Sequence, residues 1–232
     1  MTVRANNGKA PVQPRTLHHS PLLVRLLAGL SPAAPPAPVR QHAGVAERLG
    51  HWLDWTDAIA LSQVLNQPPA APPAAAAGAA RQAHAHATTL LARVRDDLGR
   101  AILQDAALQP GPGGSADPAD LRRAAHARQR AMAAAIGPLR AQLRGMLAAT
   151  SPALAHLAAL DATLDAALGE RERHSLGGVA QHLERHARQQ RLDAPAPAHG
   201  HGQHTVQHVL LAELDLRLQP AQGLLDALGE AA

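Results

Sequence analysis

The chain has 232 residues, including 54 Ala, 21 Arg against one Lys, 19 Pro and 18 Gly, and it has no Cys, Phe or Tyr. Without cysteine there is no disulfide framework, thiol nucleophile, thiolate zinc site or iron–sulfur cluster. A net charge of +4 is modest for this length, and the pI near 11.0 reflects the use of Arg, whose guanidinium stays protonated where an amine would not. This bias, with Ala at nearly every neutral position, points to a GC-rich genome. Leu, Val, Ile, Met and Trp supply only 53 residues, a thin core for such a chain. Ala is the best helix former and strand formers are scarce. The expected fold is therefore all-α: short N-terminal helices around a Trp pair, then Ala-rich antiparallel hairpins or coiled coil joined by Pro-rich linkers.

In chain order, residues 1–19 read as a disordered tail with no apolar stretch fit for a signal peptide. Residues 20–66 form an N-terminal helical module with helices predicted at 20–30 and 40–66. Pro21–Leu30 is apolar but short and interrupted by Arg25, well below the length needed to span a bilayer. Its apolar face is Leu22, Leu23, Leu26, Leu27 and Leu30, and that of the next helix runs through Val45, Leu49, Trp52 or Leu53, Ile59 or Ala60, and Val64. Trp52 and Trp55 are the only aromatic residues of the chain. Asp54, with Asp57 three residues on, resembles a capping box, so the helix is expected to break at Asp54 and restart. Two readings of the tryptophans follow: they close a small three-helix core, or one faces outward as an interface anchor, as Trp often does.

A Pro/Ala linker at 67–78 separates this module from residues 79–232, read as a helical bundle or coiled coil with loops at 109–118 and 193–205. The linker makes two modules the expected organisation. Helices are predicted at 79–108, 119–149, 152–170, 174–192 and 206–229. Met132, Ile136, Leu139, Leu143 and Leu147 form one seam, and Leu154, Leu157, Leu160 or Asp161, Leu164 and Leu168 form the next. Ser151 is a good N-cap and Pro152 a good first helical residue, so the chain is expected to turn back there as an antiparallel hairpin.

The helix 119–149 carries a basic stripe, Arg122, Arg130, Arg140 and Arg144, with two opposed readings. It could hold phosphates, which would make nucleic-acid binding salt-dependent. Alternatively it pairs within the chain, where ten acids and six arginines follow Thr150. A turn at Ser151 would then bring Arg140 near Asp161 and Arg130 near Glu172. The scarcity of aromatic stacking platforms counts against single-strand binding. His182 and His186 lie one turn apart in HLERH, and with His204 and His208 they are weak metal candidates. The Glu184 position does not match the HExxH pattern, and a closed zinc site needs four ligands. No GxSxG elbow, phosphate loop or dinucleotide-binding glycine pattern is present. The expectation is a non-enzymatic protein with no cofactor.

Leu22–Leu30 followed by Glu47–Asn66, with Trp-Leu-Asp-Trp-Thr-Asp-Ala at its centre, resembles the bacterial family catalogued as domain of unknown function 3348. The resemblance implies a cytoplasmic helical protein without assigned catalytic residues, and an accessory role in an envelope-associated assembly. Together these observations predict a helical adaptor whose partner-binding residues are Trp52, Asp54, Trp55 and Asp57. The alternatives are a nucleic-acid-associated protein using the arginine stripe and a metal binder using the histidines. Homo-oligomerisation is compatible with each.

Overall fold

Asp54, Asp117 and Ser151 stand just before helix starts, and caps form at each of them. The structure, a computed structural model, describes residues 21–30, 50–67, 77–109, 117–193 and 201–232. They form α1 (Leu22–Leu30), α2 (Trp55–Asn66), α3 (Ala77–Leu103), a 3-10 turn (Ala106–Leu108), α4 (Pro118–Thr150), α5 (Pro152–Asp193) and α6 (His201–Glu230). Residues 50–52 are also helical, and no strand occurs among the described residues. The expected tail at 1–19 and most of the Pro-rich stretches lie outside these residues, as do Val45 and Leu49.

Asp117 caps α4, its Oδ1 accepting from the Ala119 N–H at 3.3 Å, with Pro118 as the first helical residue. Ser151 ends α4 in extended backbone and its Oγ accepts from the Leu154 N–H at 3.2 Å, which starts α5. The chain therefore reverses at Ser151 as its sequence predicts. Arg144 meets Asp161, Arg140 meets Asp165, Gln129 meets Leu176 and Arg122 meets Glu184. As the α4 number falls the α5 number rises, which is an antiparallel register. The same holds for α3 and α6, where Gln207 reaches the Leu103 carbonyl, Arg95 lies 3.7 Å from Asp215, and Gly229 abuts His84. A side chain on Gly229 would stand 2.9 Å from His84 Nε2, so glycine lets α3 and α6 close there.

Helices α3–α6 pack into a bundle in which α4 and α6 each touch the other three. Met132, Ile136, Leu139, Leu143 and Leu147 are all buried, as the seam predicts. The α5 seam is a correction. Leu154 is buried, but Leu157 is exposed, and Leu160, Leu164 and Leu168 are half-buried. Burial on α5 is concentrated instead on Ala158, Leu176, Val179, Ala180 and Leu183.

Further corrections concern helix ends. The two helices expected at 152–170 and 174–192 are one helix of 42 residues. Gly169, Gly177 and Gly178 each weaken a helix by about 1 kcal/mol but keep their N–H groups, and packing of the residues around them outweighs that. Helix α6 starts at His201, inside the loop expected at 193–205, and α3 starts at Ala77, inside the expected linker. Pro138 and Pro220 are accommodated within α4 and α6.

The core crosses the expected linker. Leu23 and Leu30 of α1 are buried in one continuous cluster with the bundle residues, against α5 and α6. Helix α2 packs chiefly on α5 and contributes no buried residue.

Candidate functional site

The corner between residues 50–52 and α2 is built by its two aspartates. Leu53 and Asp54 leave the helix, with Asp54 at φ −83° and ψ 178°. Asp54 Oδ1 accepts from the Asp57 N–H at 2.8 Å and from the Thr56 hydroxyl at 2.6 Å. Asp57 Oδ2 accepts in return from the Asp54 N–H at 3.3 Å, completing the capping box that the sequence predicts. The Thr56 hydroxyl first, and then the Asp57 N–H, hold the Asp54 carboxyl below its ordinary value of 3.8. The corner is tied to α5 by Arg171, whose Nη1 donates to the His51 carbonyl at 3.3 Å.

From this cap the 3.6-residue period divides α2 into two faces. Asp57, Ala60, Leu61 and Val64 are half-buried, while Trp55, Ile59 and Leu65 face solvent. Trp55 is 80% exposed and Trp52, just before the break, is 48% exposed. The reading in which the tryptophans close a small core is thus overturned. The restart at Asp54 fixes the phase of α2, and that phase points Trp55 away from α5. Neither indole has a hydrogen-bond or ring partner among the described residues.

The histidine pair on α5 serves α1. His186 Nδ1 lies 3.0 Å from the Leu30 carbonyl, so it donates to an oxygen that α1 leaves unpaired at its C-terminus. One turn back, His182 Nδ1 lies 3.2 Å from Arg185 Nη2. Guanidinium can only donate, so Nδ1 is the acceptor and the proton of the neutral ring sits on Nε2. Nε2 is buried without a partner of good geometry, beside the Leu27 carbonyl. Burial above all, and then the Arg185 charge, push the His182 imidazole below its ordinary 6.5. His208 is exposed on α6 and the His204 side chain lies outside the described residues. No three His, Asp or Glu side chains among the described residues are placed to hold a metal.

The arginine stripe is largely spent inside the chain. Arg140 donates to both Asp161 oxygens, at 2.9 and 2.5 Å, and to Asp165 at 2.8 Å. Arg144 donates to the same two carboxylates at 2.7 and 2.6 Å. Arg122 lies 3.2 Å from Glu184, a buried carboxylate that also takes a bond from Arg188 at 2.6 Å. The expected pairing of Arg140 with Asp161 is present. That of Arg130 with Glu172 is not: Arg130 is on the outer face of α4 and has no ion-pair partner among the described residues. Its neighbour Gln129 takes the inward position.

The sequence reading missed a polar cluster at the centre of the bundle. Glu213, fully buried on α6, accepts from Gln129 Nε2 at 3.0 and 3.1 Å and from Arg217 Nε at 2.9 Å. Gln129 also donates to the Leu176 carbonyl at 2.9 Å, so one side chain joins α4, α5 and α6. The signal was present in the sequence. Gln129 falls at helical spacing between Ala125 and Met132, both fully buried, so a polar residue interrupts an apolar face there. A satisfied cluster of this kind adds little net stability over apolar packing, but losing one partner leaves the others buried and unpaired.

No helix among the described residues is long and apolar enough to cross a membrane. No curated protein matches the chain, and no solved structure matches it. The family described as protein of unknown function (DUF3348) matches residues 10–230, which take in the Trp corner, the α1 clamp and the whole bundle, and the chain belongs to that family.

Proposed function

We propose that this protein is a non-enzymatic helical adaptor in which the Trp52–Trp55 corner captures a protein partner and the α3–α6 bundle serves as its rigid mount. The observation that carries the reading is the placement of the aromatic residues. A chain with only two, and with a thin core, leaves both exposed, Trp55 on a helix that buries nothing and Trp52 just before it. Exposed Trp on a capped helix costs solubility and is not repaid in core packing, whereas at interfaces Trp is among the strongest anchors. The family resemblance adds the setting we propose, a cytoplasmic accessory subunit of an envelope-associated assembly. The nucleic-acid reading is weaker, because Arg122, Arg140 and Arg144 are engaged with carboxylates.

The test is capture of the tagged chain from its own nuclease-treated cell extract, in parallel with Trp52→Ala and Trp55→Ala. A stoichiometric protein partner lost in either variant, with helicity unchanged by circular dichroism, is the expected result. Equal capture by the wild type and both variants would remove the Trp corner from the function.

A further inference from the structure

The segment that forms the Trp corner carries acidic side chains and no basic ones. Residues 50–67 include Asp54 and Asp57 but no Arg or Lys, in a chain whose net charge is +4. The capping box uses Asp54 Oδ1 and Asp57 Oδ2, so one oxygen of each carboxylate stands outside it. Asp54 stays ionised further into acid than an ordinary carboxylate, because Thr56 and Asp57 donate to it. Asp57 lies on the half-buried face of α2, but Asp54 is exposed and stands in the sequence between the exposed Trp52 and Trp55, with Ile59 and Leu65 exposed further along the helix. Among the described residues Arg171 reaches the corner, and it is flanked in the sequence by Glu170 and Glu172.

Resting on the adaptor reading, we infer that the segment bound here is a basic amphipathic stretch of a protein, with Arg or Lys beside apolar side chains. An indole face attracts a cation through its quadrupole, and a nearby carboxylate completes the site by direct Coulomb attraction. Ile59 and Leu65 extend the surface by more than one helical turn beyond the indoles, room for the apolar stripe of a partner helix. The same charges disfavour other occupants. An anionic bilayer or a nucleic acid would meet the exposed Asp54 carboxylate and no Lys or Arg within the segment, the reverse of what phosphate binding needs.

Trp52 and Trp55 are the only aromatic residues of the chain, so its intrinsic fluorescence reports on this corner alone. The probes are a synthetic amphipathic helix of Leu and Lys, its analogue with Glu for Lys, and vesicles of phosphatidylcholine with phosphatidylglycerol. The Lys peptide is expected to blue-shift the emission of the full-length protein and to bind about tenfold or more tightly than the Glu analogue. Asp54→Asn keeps an N-cap residue while removing the charge. With Asp57→Asn it should weaken the Lys peptide by about three- to tenfold, leave the Glu analogue no weaker, and steepen no salt dependence.

Equal binding of the two peptides, or indifference to the Asp variants, would overturn the inference. So would an emission shift with the anionic vesicles alone, or one that depends only on protein concentration and thus reports self-association. If the Lys peptide fails while Trp55→Ala still loses the partner captured from extract, the cationic segment is wrong and the adaptor reading stands. If both experiments fail, both readings fall.

Discussion

The bundle and the N-terminal helices use apolar side chains in opposite ways. In α3–α6 large apolar residues are mostly buried, and Leu103, Leu157 and Leu192 are the exposed exceptions. The much shorter described N-terminal segments expose Leu22, Val24, Trp52, Trp55, Ile59 and Leu65. The polar residues differ too. The bundle draws Glu213, Glu184, Gln129 and Gln207 inside, whereas at the start of α2 Asp54 is exposed and Asp57 half-buried. A chain short of large apolar residues thus spends most of them on the scaffold.

The sharpest way to break this contrast is at the centre of the bundle. Glu213→Ala leaves Arg217 and Gln129 buried without their acceptor, and should cost about 3–5 kcal/mol in urea unfolding. Leu143→Ala, at a fully buried α4 position, should cost about 2–5 kcal/mol. A neutral effect of either substitution would be incompatible with the buried packing of α4 and α6. Next comes the ion cluster of the hairpin, whose arginines are largely but not fully buried. Arg140→Ala should cost about 1–3 kcal/mol, between the ranges for exposed and buried pairs. A loss that disappears in high salt would place the cluster in solvent.

A smaller effect is expected where α1 meets the bundle. The docked state favours neutral His182, so its pKa there lies below the ordinary 6.5. Its contribution to docking is complete above that ordinary value and is lost as the pH falls through the lower, docked value. Amide exchange in Leu26–Leu30, corrected for its intrinsic pH dependence, should therefore quicken on acidification while the α4 amides stay protected. His182→Gln should remove the pH dependence. The smallest change belongs to the Trp corner: Trp55→Ala should alter global stability by less than about 0.5 kcal/mol, as at other exposed positions. A larger loss would return Trp55 to the core and weaken the adaptor reading.

Local rules made much of this legible beforehand. The capping box at Asp54 and the turn at Ser151 rest on contacts within three residues, so the sequence displays them in full. The α4 seam was readable because its apolar residues recur at helical spacing and almost all meet a neighbour. The α5 seam was not, because the same periodicity cannot say how much of a long helix a partner covers. Nor is α5 interrupted between 170 and 174, where a break was expected. HLERH illustrates the limit for function: i, i+4 spacing put both rings on one side of α5, but only the position of α1 decided that this side holds carbonyl oxygens.

By itself, then, the sequence determined the helical class, the starts of α2, α4 and α5, the direction of the hairpin and the rarity that singles out Trp52 and Trp55. Those properties depend on backbone propensity, short-range hydrogen bonds and composition. Only the tertiary structure decided that the tryptophans face solvent, that His186 clamps Leu30, and that Glu213 rather than a leucine occupies the centre of the bundle. Each of these depends on which helix lies opposite, and pairing between helices distant in sequence is set by the joint burial of many side chains.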